Sequence, residues 1–269
     1  MENDSSENDK LAIELVDVVK TFGKQQVLKN VNLHIREGTT TVIVGASGQG
    51  KSVILKHMLG LMKPDSGQVL VYGQDLAKAK KKQLKDIRRD FGVLFQNAAL
   101  FDSMTVFDNV ALPLRERTKD SPEEIRANVE EKLAMMDLKG SNDKYPAQLS
   151  GGMQKRVGLA RALVLNPKIV FFDEPTTGLD VNKSNEIYRL FYQTQAELHY
   201  TAVIVSHDVP KIFKLSDSVA LLAEGEIQGS MSPEEFQLSE NPHIRSFVKE
   251  TMGPIYDSSF EETRFYEKV

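Results

Sequence analysis

Gly45-Ala-Ser-Gly-Gln-Gly-Lys51-Ser52 sets glycines at 45 and 50 with four residues between them and follows them with a lysine and a hydroxyl. That is a phosphate-loop pattern, in which unobstructed backbone N–H groups close around phosphate oxygens. The helix expected after it adds the positive end of its dipole. Lys51 is placed to reach the β- and γ-phosphates of a nucleotide, and Ser52 to ligate Mg²⁺. The nucleotide-contacting set read from this segment is Gly45, Ser47, Gly48, Gly50, Lys51, Ser52 and Val53.

Two other segments carry matching chemistry. Ile169-Val-Phe-Phe-Asp173-Glu174 is an apolar run ending in two carboxylates. A buried strand that ends this way delivers Asp173 to the sheet's carboxyl edge, where open α/β sheets bind ligands. Asp173 can hold Mg²⁺ directly or through water, and Glu174 can take a proton from an attacking water. Leu149-Ser-Gly-Gly-Met-Gln154 is a second glycine-rich helix start. Ser150 is a natural N-cap. Capping needs one residue only, and each glycine in a helix costs about 1 kcal/mol against alanine. Anion binding at Ser150, Gly151 and Gly152 explains that sacrifice.

These segments need a framework. Leu11–Lys20 and Val31–Arg36 alternate as strands do, and Thr40–Val44 has the β-branched character of a strand buried on both faces. Gly50–Leu61 has helix character. Gln68–Tyr72, Phe91–Phe95, Ile169–Asp173, Ala202–Ser206 and Val219–Ala223 read as further strands. Ser121-Pro-Glu-Glu124 is a capping box with proline in the first turn, and Ile125, Val129, Leu133 and Met136 share the face that follows. Ser150–Ala162 and Asn182–Leu198 are also helical. Strands alternating with helices predict an α/β fold with a mostly parallel core sheet. Residues 97–165, mostly helical, form an inserted subdomain. The basic run from Lys78 to Arg89 is either a solvated helix face or a contact for an anionic membrane surface or an acidic partner.

The 269-residue chain has no cysteine and a net charge of −4. Thiolate chemistry, iron–sulfur clusters and cysteine-held zinc are excluded. A pI near 5.8 argues against nucleic acid as the main partner. The acidic start, MENDSSENDK, has no signal-peptide pattern and is expected to be disordered over 1–10. No run approaches the ~18 apolar residues of a membrane helix. Of His34, His57, His199, His207 and His243, no pair has metal-ligand spacing.

In this order, the motifs resemble the nucleotide-binding subunits of ABC transporters across nearly the whole chain. Leu149–Gly152 matches the family's LSGG element. The resemblance implies a P-loop ATPase with an antiparallel N-terminal part. It implies Phe22 as the adenine-stacking aromatic, Gln96 as the Q-loop glutamine that also approaches Mg²⁺, Gly178-Leu-Asp180 as the D-loop, and His207 as the switch histidine on the γ-phosphate. Glu174, His207 and Gln96 are then the catalytic set, and Ser52, Gln96 and Asp173 the Mg²⁺ set. Val181 departs from the proline many members carry after the D-loop Asp. The implied domain is 11–240, with 241–269 as a C-terminal extension.

The segment from Phe95 to Glu116, with Ala99-Leu-Phe101 after the glutamine and Pro113-Leu-Arg-Glu116 further on, is similar to the ATPases of maintenance-of-lipid-asymmetry transporters. Ser206-His-Asp-Val-Pro210 points the same way. The stretch after His207 is too short for the regulatory domain of sugar-importer ATPases. The resemblance implies phospholipid transport between two membranes, driven by an ATP-sandwich dimer of this chain. The dimer would sit peripherally on the cytoplasmic face of the inner membrane, against a transmembrane permease. It further implies an MCE-domain lipid-binding protein and, in some members, a STAS-domain subunit. The alternative is an ATPase of an amino-acid or other small-molecule importer.

Overall fold

The computed structural model describes residues 10–207, 209 and 211–252. Leu11–Phe22 (β1) and Gln25–Arg36 (β2) form a long antiparallel hairpin. Both strands run further toward the tip than the alternation predicts. They close through a two-residue turn whose Gly23 takes φ +59. Left-handed Asp17 and Asn30 accompany register shifts in this pair, which break the period-2 signal. Thr40–Val44 (β3) is buried throughout, as expected, and leads into the glycine loop and Lys51–Met58 (α1). Ser66–Val71 (β4) and Gln74–Asp75 (β5) complete an antiparallel sheet ordered β2-β1-β4-β5.

Lys81–Ile87 (α2) carries part of the basic run with its lysines exposed. Arg88 turns inward and donates to the carbonyls of Leu59 at 3.0 Å and Gly60 at 2.5 Å, closing the end of α1. After Phe91–Leu94 (β6) come Val106–Arg117 (α3), Pro122–Met135 (α4) and Gly151–Leu163 (α5). All three helices lie within 97–165, the stretch expected to be mostly helical. Ser121 caps α4 through the capping box read from sequence. Ile169–Asp173 (β7), Val181–Leu198 (α6), Thr201–Val205 (β8) and Ser218–Ala223 (β9) follow. Glu226–Met231 (β10), Pro233–Gln237 (α7) and Pro242–Met252 (α8) end the described chain.

The second sheet runs β10-β9-β3-β8-β7-β6, parallel except for the β10 edge. Its side chains alternate between two cores. Ile43, Phe171 and Val203 face α1 and the antiparallel sheet. Val42, Val44, Phe172 and Ile204 face the helical side. Phe172 and Phe191 of α6 meet with ring centroids 4.3 Å apart. Phe191→Ala should therefore cost about 3–5 kcal/mol, read as a lower midpoint in urea unfolding.

β10, α7 and α8 escaped the sequence reading. β10 is a polar edge strand, and the capping box of Ser232 and Glu235 at α7 repeats the signal seen at Ser121. The extension set apart as 241–269 is described as far as Met252. That part docks on the core: Ile244 and Val248 are buried, and the Phe247 ring lies 6.3 Å from that of Phe236. The disorder expected over 1–10 lies outside the described residues except for Lys10, which pairs with Glu37 at 2.8 Å.

Candidate functional site

β3, β8, β7 and β6 are neighbours, so their carboxyl ends form one edge. Gly45 follows β3, Ser206 and His207 follow β8, Asp173 ends β7 with Glu174 next, and Gln96 lies just beyond β6. Four segments far apart in sequence thus converge where an open α/β sheet binds its ligand.

The glycine loop is held on both sides. A Cβ on Gly45 would lie 2.3 Å from the Leu222 carbonyl oxygen, and one on Gly50 2.9 Å from Val27 Cγ1. Gly50 caps α1 in a left-handed conformation without a side-chain acceptor, which leaves the first-turn amides facing the loop. Gln49 Oε1 accepts from the Glu224 amide at 2.9 Å and ties the loop to the β9–β10 turn. Lys51 is buried, and its ammonium donates to the carbonyls of Gly45 at 2.7 Å and Ala46 at 3.0 Å. Burial pulls the Lys51 ammonium below its ordinary range, opposed in part by the charges of Glu174 and Asp173. Burial, and after it the charge of Glu174, pushes the Asp173 carboxyl up, opposed by Lys56 and Lys51. Lys51, Asp173 and Glu174 thus influence one another's charge where burial disfavours the charged forms of Lys51 and Asp173.

Glu174 is left-handed at φ +48, and its amide donates to the Val205 carbonyl at 2.9 Å. Its side chain is mostly covered, and Oε2 lies 2.5 Å from Nδ1 of the exposed His207. An ionised carboxylate there accepts the Nδ1 proton, which leaves Nε2 free for another partner. Backbone strain of this kind is typical of functional sites.

Other expected residues lie apart from this cluster. Ser150 caps α5 by accepting from the Met153 amide at 3.3 Å. The side chains nearest the Cβ positions of Gly151 and Gly152 are Leu179 and Lys183, and neither belongs to the glycine loop. Asp180 caps α6 and pairs with Lys183 at 2.8 Å. Ser150, Gly151, Gly152 and Asp180 therefore form a second, separate surface. Phe22 is exposed near the hairpin tip, with the Lys20 ammonium 5.6 Å from its ring centre. Asp65 fixes the neighbouring backbone, accepting from the Thr21 amide and from Lys20, each at 2.7 Å. The same hairpin reaches the glycine loop through Val27 and Leu28.

Two residues that the sequence reading missed contact the loop of Gln96. Lys155 of α5 is buried and donates to the Gln96 carbonyl. Arg161 donates to the carbonyls of Ala98 at 2.6 Å and Ala99 at 2.8 Å. For Lys155 its burial, though not its partner, was legible: it stands four and eight residues before Leu159 and Leu163, on the apolar face of α5.

The donor set fits a small hard cation. Among the described residues no group of three or more His, Cys, Asp or Glu could hold a metal. Ser52, Asp173 and Gln96 offer a hydroxyl, a carboxylate and a carboxamide, all oxygen donors of the kind Mg²⁺ takes alongside phosphate.

Residues 28–177 match the family model described as ABC transporter. The chain is 41% identical over 246 residues to the "Probable ribonucleotide transport ATP-binding protein mkl" of Mycobacterium leprae, covering 91% of this chain and 71% of that protein. It is 36% identical over 236 residues to the "Intermembrane phospholipid transport system ATP-binding protein MlaF" of Escherichia coli, covering 88% of each. Among solved structures, it superposes with a TM-score of 0.75 on a dimeric ATP-binding cassette in a post-hydrolysis state bound to ADP and Pi. That cassette is 36% identical, with 82% of this chain and 98% of the cassette covered. A glycine loop feeding α1, an acidic pair closing β7 and a family match that spans both leave one conclusion: the chain belongs to the ABC transporter family and is an ATP-hydrolysing subunit of a transporter.

Proposed function

We propose that this chain hydrolyses ATP between two copies of itself to move phospholipid through a transmembrane permease. The loop from Gly45 to Val53 would bind the phosphates, with Lys51 turning from the Gly45 and Ala46 carbonyls onto the β- and γ-phosphate oxygens. Ser52, Asp173 and Gln96 would hold Mg²⁺, which when bound neutralises phosphate charge. Glu174 takes the proton of the attacking water. His207, oriented through Nδ1 by Glu174, offers Nε2 to the γ-phosphate. Ser150, Gly151 and Gly152 lie away from their own chain's loop, so they serve a partner copy's ATP, with Asp180 beside them. The superposition on a dimeric cassette supports that arrangement. Among the described residues no helix is long and apolar enough to cross a membrane. In this proposal the permease supplies the membrane path, and the chain sits against it peripherally on the cytoplasmic face of the inner membrane. An MCE-domain protein and a STAS-domain subunit belong to the same proposal.

The phospholipid reading rests on one observation, the alignment with MlaF over nearly the full length of both chains. A ribonucleotide cargo is the second reading, favoured by the ribonucleotide transport named for the mycobacterial relative. The test is phosphate release by the chain reconstituted with its permease in liposomes. Phospholipid should raise the rate; stimulation by ribonucleotides or amino acids instead would overturn the lipid assignment.

The base-stacking role has its own test. Phe22→Ala should weaken ATP binding by about 1–3 kcal/mol, the usual worth of a base–aromatic stack. Phe22→Tyr should bind as the unaltered chain does. Calorimetry reads both.

A further inference from the structure

From the contacts of α5 we infer that Lys155 and Arg161 are positioning residues that make the Gln96 loop and the Ser150 helix start one mechanical unit. The inference rests on the sandwich reading above and says how a chain's own nucleotide would govern its grip on the partner's.

The loop after β6 is unusual. Ala98 and Ala99 are both left-handed, at φ +56 and +47, where consecutive non-glycine residues rarely lie. Such backbone persists only where its surroundings over-determine it. Besides the loop's own bonds from the Ala98 amide to Phe95 and the Ala99 amide to Asn97, the side chains that hold it come from α5. Lys155 donates to the Gln96 carbonyl, and the Arg161 fork takes the carbonyls of Ala98 and Ala99. Between them Gly158 lets α5 come close: a Cβ on it would lie 2.8 Å from Leu94 Cδ1 and 3.1 Å from Ala98 Cβ. Lys155 is buried on the apolar side of a helix, a costly place for an ammonium unless it has work there. Helix α5 begins at Gly151, one turn before Lys155. A shift of the Gln96 backbone therefore pulls on the helix whose first turn faces the partner.

Merely structural contacts would be lost with stability alone. Coupling contacts change cooperativity while nucleotide affinity stays. In Lys155→Met, ATP affinity of the separate chain should stay within about twofold of the unaltered chain's. The Hill coefficient for hydrolysis should fall from about 2, the ceiling for two sites, toward about 1. Hydrogen exchange gives a readout apart from turnover. In a Glu174→Gln background with ATP and Mg²⁺, peptides covering 95–101 and 150–156 should gain protection together. Adding Lys155→Met should keep the first gain and lose most of the second. Lys155→Arg, which retains a cationic donor, should restore part of it. Should Lys155→Met fail to fold, Arg161→Lys, which keeps charge and loses the fork, is read the same way. Unchanged cooperativity and unchanged protection at 150–156 would overturn the inference. If Glu174→Gln alone shows no ATP-dependent protection at 150–156, the sandwich reading has failed instead.

Discussion

A Glu174→Gln protein is expected to bind ATP almost as the unaltered chain does and to hydrolyse it about 10²–10⁴-fold more slowly, the usual contribution of a positioned general base. The substitution keeps shape and still offers an oxygen to His207 Nδ1, so the 2.5 Å contact has a successor. It removes only the capacity to take a proton. A loss confined to turnover, with binding intact, marks an interaction made in the transition state. The left-handed Glu174 backbone, held by the Val205 carbonyl, aims the carboxylate whether or not it is charged, so folding should be unaffected. Calorimetry and a phosphate-release assay on the same preparation decide the matter. Hydrolysis at the wild-type rate would remove Glu174 from the chemistry.

Lys51→Met should do the opposite, acting on binding first. Hydrogen bonds from a charged donor contribute about 1.5–3 kcal/mol each, so affinity should fall by at least about tenfold and by up to about 10²-fold. The fold should not suffer in step. Lys51 is a buried ammonium whose charged form burial already disfavours, and it donates to two loop carbonyls, those of Gly45 and Ala46. Methionine fills much of the same volume without desolvating a charge. The melting temperature without nucleotide should stay level or rise, while the rise produced by added ATP should shrink. An unchanged affinity would contradict the phosphate-loop assignment.

Much of this was legible in the sequence because backbone requirements are local. The glycines at 45 and 50, the apolar run into Asp173 and the cap at Ser150 each announce a strand end or helix start without help from the rest of the chain. β3 and β7 came out with the bounds their composition predicts. The hairpin tip did not: β2 begins at Gln25, before the left-handed Asn30, where the register shifts and the alternation that reveals a strand breaks. β10 was invisible for a related reason: an edge strand with polar residues has no apolar period to read. Lys155 and Arg161 were missed because their partners are carbonyls of another segment, and carbonyls carry no residue identity. The convergence of Gln96, Glu174 and His207 depends on strand order, which the sequence pattern does not specify.

In the proposed function one chain has two phosphate-binding surfaces, and a second copy completes the site. The mass of the Glu174→Gln protein, measured by light scattering with and without ATP and Mg²⁺, tests that claim most directly. Without nucleotide the expected mass is that of the 30.2 kDa single chain. With ATP it should double, and Ser150→Arg, which blocks the second surface, should abolish the shift. A mass that ignores ATP, both for the chain alone and for its complex with the permease, would contradict the shared site.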